Sequence, residues 1–487
     1  MNAVSKDIKD DKQIPLLVDM DGALIATDTL YEMTLLFVKQ SPLKIFMLFI
    51  WLARGKQVLK EELSERTNLN VDTLPYRQQV IDYLRSQSEQ GRKIILLTGS
   101  WGDVAKRVAG RFDFISDVVA TNRQQNMTGQ TKAEYARRTW GEQSFDYLGN
   151  EKKDLHVWKY TRRAIVVGAQ SLAETAAKVS QLEQVFAVES AGVMTWLKAI
   201  RIHQWAKNML VFVPLLTSHS LFKPELVMNA LLAYLSFCTV ASATYLLNDL
   251  LDLESDRKHH TKRNRPLAAG RLTIMQGVTA GVVLFCLGLY LAIQFTNTLF
   301  LLFLLIYLTL TIMYSFVLKH LQSADVISLA SLFTLRIIAG AAAISVPLSF
   351  WLLCFSMFLF LSLAMIKRVS ELIHLQRQTE NPSQQVAGRD YLTADIVVLQ
   401  SLGGAAGLMS VLIFALYVNS DQVVTMYSTP ELLWLVIPVV GYWITRIWIA
   451  ATRGEIDEDP VSYALHDMQS WLTVGILLLL FFLAALI

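Results

Sequence analysis

Acidic residues crowd the end of one long apolar stretch in the second half of the chain. Asn248, Asp252 and Asp256 recur every four residues, so on a helix they share one face, and Asp249 lies beside them. Carboxylates this close repel one another unless a cation lies between them, and Mg²⁺ held by carboxylates and substrate phosphates is the usual solution. The spacing therefore predicts a site for a metal ion and a diphosphate. The basic residues that follow are candidates for phosphate contacts: Arg257, Lys262 and Arg265.

Further polar residues lie at the ends of neighbouring apolar stretches or inside them. Arg336 is the deepest, and a charged side chain in an apolar run is costly in a bilayer, which makes it a candidate functional residue. A structural ion pair inside a helical bundle is the alternative for Arg336. The other candidates for contacts to phosphate or sugar are Lys207, Asn208, Asp325, Lys367, Arg368 and Glu371.

A second pair of carboxylates, Asp19 and Asp21, follows an apolar run near the N-terminus. The run indicates a buried strand that enters a tight turn at Gly22. With one residue between them, the two side chains point the same way from an extended chain. One carboxylate can then attack a phosphorus atom while the other handles protons and a metal ion. This pair predicts phosphoryl chemistry separate from the Asp-rich site.

The regions that carry these two sites differ in composition. Hydrophobic residues make up 53% of the 487-residue chain and charged residues 17%, with a mean hydropathy of +0.38, whereas roughly a quarter of residues are charged in soluble proteins. Residues 1–195 carry most of the ordinary soluble-type charge. Because a membrane helix needs about 20 apolar residues, we predict nine transmembrane helices from about Met194 onward. They lie near 197–219, 226–250, 275–296, 298–317, 324–345, 349–369, 394–418, 430–450 and 468–487.

The overall charge and the cysteines exclude some classes of function. A net charge of +3 predicts no particular partner, and we expect no nucleic acid. Cys238, Cys286 and Cys354 all lie in apolar runs, without CxxC spacing or a histidine neighbour, which indicates small buried hydrophobic residues rather than a disulfide framework or zinc site. Self-association into a homo-oligomer stays open.

Lys and Arg residues predict the orientation in the membrane. Thirteen of them lie in the loops after the even-numbered runs, and only Lys223 lies on the other side between the first run and the last. The positive-inside rule places those loops and the N-terminal region in the cytoplasm, with the C-terminus outside. The N-terminus is polar and lacks the apolar core of a signal peptide, so we expect the first domain to stay in the cytoplasm. The nine apolar runs predict a multi-pass protein of the inner (cytoplasmic) membrane.

The motifs of the apolar half resemble the intramembrane prenyltransferase superfamily of the UbiA type. The resemblance covers roughly 195–487. It is carried by Arg201-Ile-His203-Gln204-Trp205-Ala-Lys207-Asn208, by Asn248-Asp249-x-x-Asp252-x-x-x-Asp256-Arg257 and by Lys262-Arg-Asn-Arg265-Pro266-Leu-Ala-Ala-Gly270. It implies an all-α membrane bundle and an Mg²⁺-dependent transferase whose metal ligands are Asn248, Asp249, Asp252 and Asp256.

One branch of that superfamily fits the chain better than the others. Members that prenylate aromatic compounds carry a second Asp-rich motif after the fourth or fifth span, where this chain offers only Lys319, His320 and Asp325. The opening around Lys207, the close Lys367-Arg368-x-x-Glu371 and the loop Asp459 to Asp467 look more like the polyprenyl-phosphate phosphoribosyltransferases. The resemblance implies phosphoribosyl diphosphate and a polyprenyl phosphate as substrates. The alternative is transfer of a polyprenyl group from its diphosphate to an aromatic acceptor, with a regulatory or degenerate N-terminal domain.

The N-terminal motifs resemble phosphatases of the haloacid-dehalogenase type. They are Asp19-Met-Asp21-Gly22, the run Ile94-Ile-Leu-Leu-Thr98, Lys132, and Gly149-Asn150 followed by Asp154. The resemblance implies Asp19 as the nucleophile, Asp21 as the acid/base, Thr98 and Lys132 as phosphate binders, and Asn150 and Asp154 beside Asp19 and Asp21 at an Mg²⁺ ion. Asn150 stands where the family usually has an acid, so this site has less charge for a metal.

We therefore expect an α/β phosphatase-like domain with a Rossmann-type fold over 1–190 and a membrane transferase domain over 191–487. Residues 33–53 are apolar but interrupted by Lys39 to Lys44, so we interpret them as helices of a cap around 30–80, lying above the phosphatase core and on the membrane surface. Residues 170–192 indicate a helix and a linker. A phosphatase fused to this transferase predicts removal of the 5-phosphate from the lipid-linked product.

Overall fold

The computed structural model describes residues 14–188, 190–378, 390–456 and 459–486. Its described residues form two compact units. One comprises Met1–Ile202 together with Tyr245–Val282, and the other comprises His203–Thr244 together with Val283–Ile487. The segment with the Asp-rich motif thus packs with the N-terminal region, on the other side of the predicted domain boundary near residue 190.

A six-stranded parallel sheet forms the centre of the N-terminal region, in the order β3–β2–β1–β4–β5–β6. Leu16 and Val18 of β1 belong to the core on one face and Leu17 to the core on the other, as expected for a strand covered on both sides. The predicted α/β fold is confirmed. The strands are Leu16–Val18 (β1), Ile94–Trp101 (β2), Ile115–Thr121 (β3), Asp146–Gly149 (β4), Arg163–Gly168 (β5) and Gln181–Ala187 (β6).

The last strand was not predicted, because residues 170–192 were interpreted as a helix and a linker. β6 lies at the edge of the sheet and its residues are exposed or half-buried, so it lacks the continuous apolar run of the central strands.

The helical cap is inserted between β1 and β2, as predicted. Asp28 caps its first helix by accepting the N–H of Leu30 at 2.8 Å. Trp51 is buried against Phe37, with ring centroids 5.1 Å apart. The cap helices are Thr29–Gln40 (α1), Phe46–Arg54 (α2) and Lys56–Arg66 (α3). The remaining helices around the sheet are Gln78–Glu89 (α4), Gly102–Ala109 (α5), Gln130–Trp140 (α6), Leu155–Trp158 (α7) and Gln170–Ala177 (α8).

The rest of the chain is helical, as predicted. Its helices are Val193–Ala199 (α9), Val213–Thr217 (α10), Pro224–Leu251 (α11), Leu253–Lys258 (α12), Ile274–Phe295 (α13), Thr298–Phe316 (α14), Ala324–Ala343 (α15), Phe350–Gln378 (α16), Ile396–Val418 (α17), Asp421–Met426 (α18), Val436–Thr452 (α19), Pro460–His466 (α20) and Met468–Leu486 (α21). Among the described residues, eight helices are long and apolar enough to cross a bilayer: α11, α13 to α17, α19 with the 3₁₀ turn that precedes it, and α21. A ninth would be counted only if Thr29–Gln40 and Pro42–Arg54, which meet at 118°, formed one bent span.

The first of the nine predicted spans, near 197–219, does not form one long helix. α9 ends at Ala199, Arg201 adopts a positive φ of 53°, and a 3₁₀ segment Ile202–Phe212 leads into α10. Polar side chains of this segment bond to other helices instead: the indole N–H of Trp205 donates to Ser242 at 3.0 Å. Within the described part of the chain, the predicted first span is thus a broken segment and not a single helix, and the other eight predicted spans are regular helices.

α15 is the most extensively buried of the eight spans. Gly340 permits its close contact with the 3₁₀ segment, because a Cβ there would lie 2.1 Å from the carbonyl oxygen of Val211. This helix holds two of the predicted site residues, Asp325 and Arg336, inside its unit. Of the three cysteines, Cys238 is buried as predicted, whereas Cys286 is exposed and Cys354 is half-buried.

Candidate functional site

Asp19 and Asp21 follow the carboxyl end of β1 and are held by different partners. Asp19 accepts the N–H of Met20 at 2.9 Å, and its Oδ1 lies 2.9 Å from the ammonium group of Lys132. Asp21 accepts the N–H and the hydroxyl of Thr29 at 3.1 and 3.2 Å, and also the hydroxyl of Ser100. Fixed rotamers of this kind suit a carboxylate that must meet a phosphorus atom in one geometry.

The predicted phosphate binders come from β2 and α6. Thr98 is buried, and its hydroxyl accepts the N–H of Ser100 at 3.1 Å, which links it to Asp21. Lys132 lies in the first turn of α6 and also donates to the hydroxyl of Tyr147 at 2.9 Å. A buried ammonium group beside Asp19 can neutralise a bound phosphate.

The loop after β4 brings Asn150 and Asp154 to the same site. Asp154 accepts the N–H groups of Asn150 and Glu151 at 2.9 Å each and the hydroxyl of Tyr147 at 2.9 Å, so it holds the loop in place. Asn150 packs on Gly22, which has a φ of +76°. A Cβ at position 22 would lie 2.1 Å from Nδ2 of Asn150. Only glycine fits there.

The amide oxygen of Asn150 is buried and has no hydrogen-bond partner among the described residues. Such an acceptor fits a cation ligand, since buried polar atoms are otherwise satisfied. Asp19, Asp21 and Asn150 together offer the oxygen ligands that Mg²⁺ prefers. The donor set therefore fits a magnesium ion at this site, with Asn150 contributing no charge.

Burial shifts the proton affinities of this site. It raises the pKa of Asp19 to about 6, although Lys132 lowers it. It raises the pKa of Asp21 to about 8, and the nearby carboxyl of Asp28 adds to the shift. Burial alone would lower the pKa of Lys132, but Asp19 and Asp154 hold it above its usual value. An ionised carboxylate beside a protonated one is the arrangement that acid-assisted displacement requires.

A cap residue also enters this site. Lys60 of α3 is buried and donates to the carbonyl oxygen of Gly99 at 2.5 Å and to Asn126 at 3.0 Å. Burial lowers the pKa of Lys60, while Asp21 and Asp28 act in the opposite direction. Sequence reasoning missed Lys60, because nothing distinguishes it from the other charged residues of the polar helix α3.

The Asp-rich motif lies where α11 ends and α12 begins, with Asp252 between them. Nη1 of Arg265 lies 3.1 Å from Asp249 and 2.6 Å from Asp256, and Arg201 also binds Asp249. A guanidinium group thus lies between two carboxylates, where the sequence predicts a metal ion. Asp252 instead lies 2.7 Å from the ammonium group of Lys39 in the cap. Within the described ranges, no group of three or more His, Cys, Asp or Glu side chains could hold a metal ion by itself.

The motif's final arginine is also engaged by the cap. Arg257 lies 2.6 Å from Glu32, and both side chains are buried, at 7% and 5% exposure. Arg257 further donates to the carbonyl oxygen of Ala268 at 3.0 Å, and Glu32 accepts the hydroxyl of Thr27 at 2.8 Å. Arg257, predicted as a phosphate binder, is in this arrangement a contact between the motif and the cap. The other predicted residues here, Asn248 in the last turn of α11 and Lys262 in a 3₁₀ turn, are partly exposed.

In the second unit, Asp325 forms a buried ion pair. It lies 2.5 Å from the guanidinium of Arg368 and accepts the hydroxyl of Tyr314 at 2.9 Å. Asp325 is 0% exposed and Arg368 is 1% exposed. Arg368 also binds Glu371. The structure thus brings together three of the predicted residues, and the guanidinium of Arg368 is the counter-charge of both Asp325 and Glu371.

Arg336 and Lys207 have partners in the same unit. Arg336 donates to the side-chain oxygen of Asn208 at 2.8 Å and to the hydroxyl of Tyr307 at 3.1 Å. These hydrogen bonds to neutral groups satisfy its guanidinium, in place of the ion pair considered as the alternative. Lys207 forms an ion pair with Asp459. Lys367 interacts electrostatically with both members of that pair.

Sequence reasoning assigned no role to several residues that hold these sites. Arg201 had a signal, because it opens the motif that ends in Asn208, and its positive φ marks a constrained position. Glu32 and Lys39 had none, because only the packing of the cap brings them to the Asp-rich motif. Tyr147 and Ser100 are likewise ordinary core and strand residues in the sequence.

Comparisons with known proteins identify the second half of the chain. The model of the UbiA prenyltransferase family matches residues 209–472, more than half of the chain. The uncharacterized protein y4nM of Sinorhizobium fredii is 33% identical over 467 residues, which cover 95% of this chain and 89% of that protein. Nodulation protein NoeC of Azorhizobium caulinodans is 36% identical over 278 residues, covering 57% of this chain and 89% of NoeC.

A third relative carries a biochemical name. The decaprenyl-phosphate phosphoribosyltransferase of Mycobacterium tuberculosis H37Rv is 38% identical over 193 residues, covering 39% of this chain and 62% of that protein. The chain thus spans less than two thirds of the length of this relative. The eight apolar helices and the family match together confirm a multi-pass membrane protein. The chain is a membrane enzyme that belongs to the UbiA prenyltransferase family.

Proposed function

We propose that the transmembrane region transfers a 5-phosphoribosyl group from phosphoribosyl diphosphate to a polyprenyl phosphate, with Mg²⁺, at the cytoplasmic face of the membrane. The similarity to decaprenyl-phosphate phosphoribosyltransferase over 193 residues supports this substrate pair. The charge of the loops supports the sidedness.

The state of Asp325 is the observation that carries the choice of branch. It is the one acid where enzymes that use prenyl diphosphates would have a second Asp-rich motif. Its side chain is fully buried and bound by Arg368 and Tyr314, so it offers no free carboxylate to a second metal ion. This arrangement favours phosphoribosyl transfer over the alternative prenyl transfer to an aromatic acceptor.

The residues of the motif suit departure of a diphosphate. The acceptor is a phosphate that is already anionic, so its oxygen attacks the anomeric carbon without a general base, while the bond to the diphosphate breaks and its electron pair leaves with that group. When bound, Mg²⁺ on Asp249, Asp252 and Asp256 would supply positive charge for the leaving group. Arg265 and Arg201, which now neutralise Asp249 and Asp256, can bind phosphate oxygens instead.

The N-terminal domain, we propose, removes the 5-phosphate from the lipid-linked product. Asp19 attacks phosphorus, and the protonated carboxyl of Asp21 gives its proton to the departing sugar oxygen; water then releases phosphate from Asp19. Lys132 and Thr98 hold the phosphoryl oxygens. Attachment to the transferase raises the concentration of the product at this site.

The transfer is tested with purified protein in detergent, Mg²⁺, a polyprenyl phosphate and radiolabelled phosphoribosyl diphosphate. We expect label in the lipid extract, lost in Asp252→Asn and retained in the exposed control Asp72→Asn. No lipid-extractable label, together with turnover of a prenyl diphosphate and an aromatic acid, would establish the alternative instead.

The phosphatase step is tested on the labelled lipid product. The wild-type chain should release phosphate from it, and Asp19→Asn should accumulate the phosphorylated form. If the wild-type protein hydrolyses generic phosphate esters but leaves the lipid-linked phosphoribose intact, the proposed product trimming is wrong while the transferase proposal stands.

A further inference from the structure

The cap carries an apolar surface that no described residue covers. Leu43 is 90% exposed, Phe46 57% and Phe49 70%, and Ile50 beside them is 46% exposed. These four residues, here called the cap surface, lie on α2 and in the turn before it. The opposite side of α2 holds Trp51, which is buried in the core of the cap. Contiguous exposure of large apolar side chains marks a surface for a partner or a membrane.

The charge around the cap surface is of one sign. From Met33 to Lys60 the sequence contains no Asp or Glu, and its charged residues are Lys39, Lys44, Arg54, Lys56 and Lys60. Lys44 and Arg54 flank the cap surface, and both are exposed. Apolar side chains bordered by Lys and Arg form the pattern of helices that lie in the interface of anionic bilayers.

Contacts within the N-terminal unit hold the first cap helix, α1, at the end of a membrane-spanning helix. Lys39, in the last turn of α1, lies 2.7 Å from Asp252, one residue beyond the end of α11. Arg257, a few residues further along, is held by Glu32 of the same α1. The cap surface begins only four residues after Lys39. A span of the chain's own membrane domain therefore ends at α1, the helix that leads into the cap surface.

We infer that the cap surface inserts into the lipid interface of the bilayer that the chain itself spans, with Lys44 and Arg54 at anionic headgroups. The bilayer is favoured over a second protein because the basic border complements anionic lipid and because the two ion pairs fix the cap at the end of α11. α2 then lies along the membrane with Trp51 facing the phosphatase core.

This docking has a consequence for the substrate of the phosphatase site, which rests on the proposed phosphatase activity. The cap that carries the surface also carries Lys60, whose ammonium group contacts Gly99 in the strand that bears Thr98 and Ser100. A cap held in the lipid interface places its site at the level of lipid headgroups. The preferred substrate class is then an amphiphilic phosphate ester that stays in the bilayer.

The experiment uses the full-length chain in nanodiscs that contain anionic lipid. Cys238, Cys286 and Cys354 are replaced by alanine, and a bimane label is attached at Phe49→Cys or at the matched control Glu65→Cys, which is exposed on α3 of the same cap. Lipids with a spin label on the acyl chain should quench bimane at Phe49→Cys about threefold or more strongly than at the control. Dissolved iodide should show the reverse order.

Two results would overturn the docking proposal. One is equal quenching by the spin-labelled lipid at both positions. The other is a label at Phe49→Cys that is shielded from lipid and from iodide and becomes accessible on dilution, because a second copy of the chain would then cover the surface. The double variant Lys44→Glu with Arg54→Glu should reduce lipid quenching in anionic nanodiscs, and retained quenching would contradict the role of the basic border.

An activity measurement separates this inference from the proposed phosphatase function. Phe46→Asp with Phe49→Asp should lower hydrolysis of the lipid-linked substrate about tenfold, since the surface loses its lipid contact, and leave hydrolysis of para-nitrophenyl phosphate unchanged. Equal loss on both substrates would overturn the substrate preference. Lipid contact without hydrolysis of either substrate would refute the phosphatase activity and leave the docking intact.

Discussion

Two acidic sites in the N-terminal unit differ in how their carboxylates are balanced. Asp19 forms an ion pair with Lys132, whereas Asp21 is bound by the neutral groups of Thr29 and Ser100. Both acids lie beside the buried amide oxygen of Asn150, which has no partner in the described structure. In the Asp-rich motif, by contrast, every carboxylate already has a basic partner. The partners are Arg201 and Arg265 for Asp249, Arg265 for Asp256 and Lys39 for Asp252.

The difference indicates how much each site must change on binding. The site of Asp19 and Asp21 needs little rearrangement for the proposed reaction, because its hydrogen bonds orient the acids without consuming all their oxygens. In the proposed reaction, the Asp-rich motif exchanges arginine for a metal ion or a diphosphate, and that exchange costs the ion pairs it replaces. Activity at the first site should therefore depend on single side-chain atoms. Activity at the second should depend on the contacts that hold the segment carrying the Asp-rich motif.

The largest effect tests the first half of this comparison. Replacing Asp19→Asn removes the nucleophile, so hydrolysis of a phosphate ester should fall about 10³-fold or more, while lipid-extractable phosphoribosyl transfer stays unchanged. Phosphate release and lipid label are measured on the same preparation. Asp82→Asn, an exposed acid on α4, is the control. Hydrolysis that survives in Asp19→Asn would show that this site does not use a covalent step.

The next effect tests whether the cap holds the Asp-rich motif. Glu32→Gln leaves Arg257 buried without its counter-charge, which should destabilise this contact by about 3 kcal/mol. Amide hydrogen exchange in Leu253–Lys258 should accelerate, and transfer activity should fall with it.

The matched control for Glu32→Gln removes the other ion pair of the same contact. Lys39 and Asp252 are 42% and 33% exposed. Lys39→Gln should therefore lower the free energy of opening, measured by hydrogen exchange, by less than about 1 kcal/mol. Similar exchange rates in the two variants would show that burial does not set the strength of this contact.

A smaller effect tests the metal side of the first site. Asn150→Asp adds a charged oxygen where a neutral one is buried, so the Mg²⁺ concentration for half-maximal hydrolysis should fall about tenfold. Asn150→Ala should raise it. Hydrolysis that depends on Mg²⁺ equally in all three proteins would remove Asn150 from the metal site.

The last effect is a pH-dependent change in stability. Burial raises the pKa of Asp21 in the folded state to about 8, against about 3.9 in an unfolded chain. As the pH rises, Asp21 therefore loses its proton at a lower pH in the unfolded state than in the folded state. The native state is therefore progressively destabilised as the pH rises from about 4 to 8 and by a constant amount above that. In EDTA, Asp21→Asn should raise the unfolding temperature at pH 8 and change it little at pH 4. A gain that is equal at both pH values would contradict the raised pKa.

Much of the fold followed from local patterns. Apolar runs of about 20 residues predicted α11, α13 to α17, α19 and α21, because a bilayer requires that length. The buried run before Asp19 predicted β1. The patterns failed where tertiary contacts matter: the segment from Ile202 to Phe212 is apolar enough for a span, but it is a 3₁₀ segment in which Asn208 bonds to Arg336 and Lys207 pairs with Asp459. The edge strand β6 escaped prediction because it is only partly buried.

The sequence by itself determined which residues could do chemistry, because carboxylate spacing, the Asp-x-Asp-Gly turn and lone charges in apolar runs express local geometry and the cost of burial. Only the tertiary structure decided their partners. Glu32 and Arg257 are 225 residues apart, and no local pattern links them. Arg265 lies between Asp249 and Asp256 because the chain turns back after α12. Ion pairs depend on distances of a few ångströms across the fold, which long-range packing sets and sequence spacing does not.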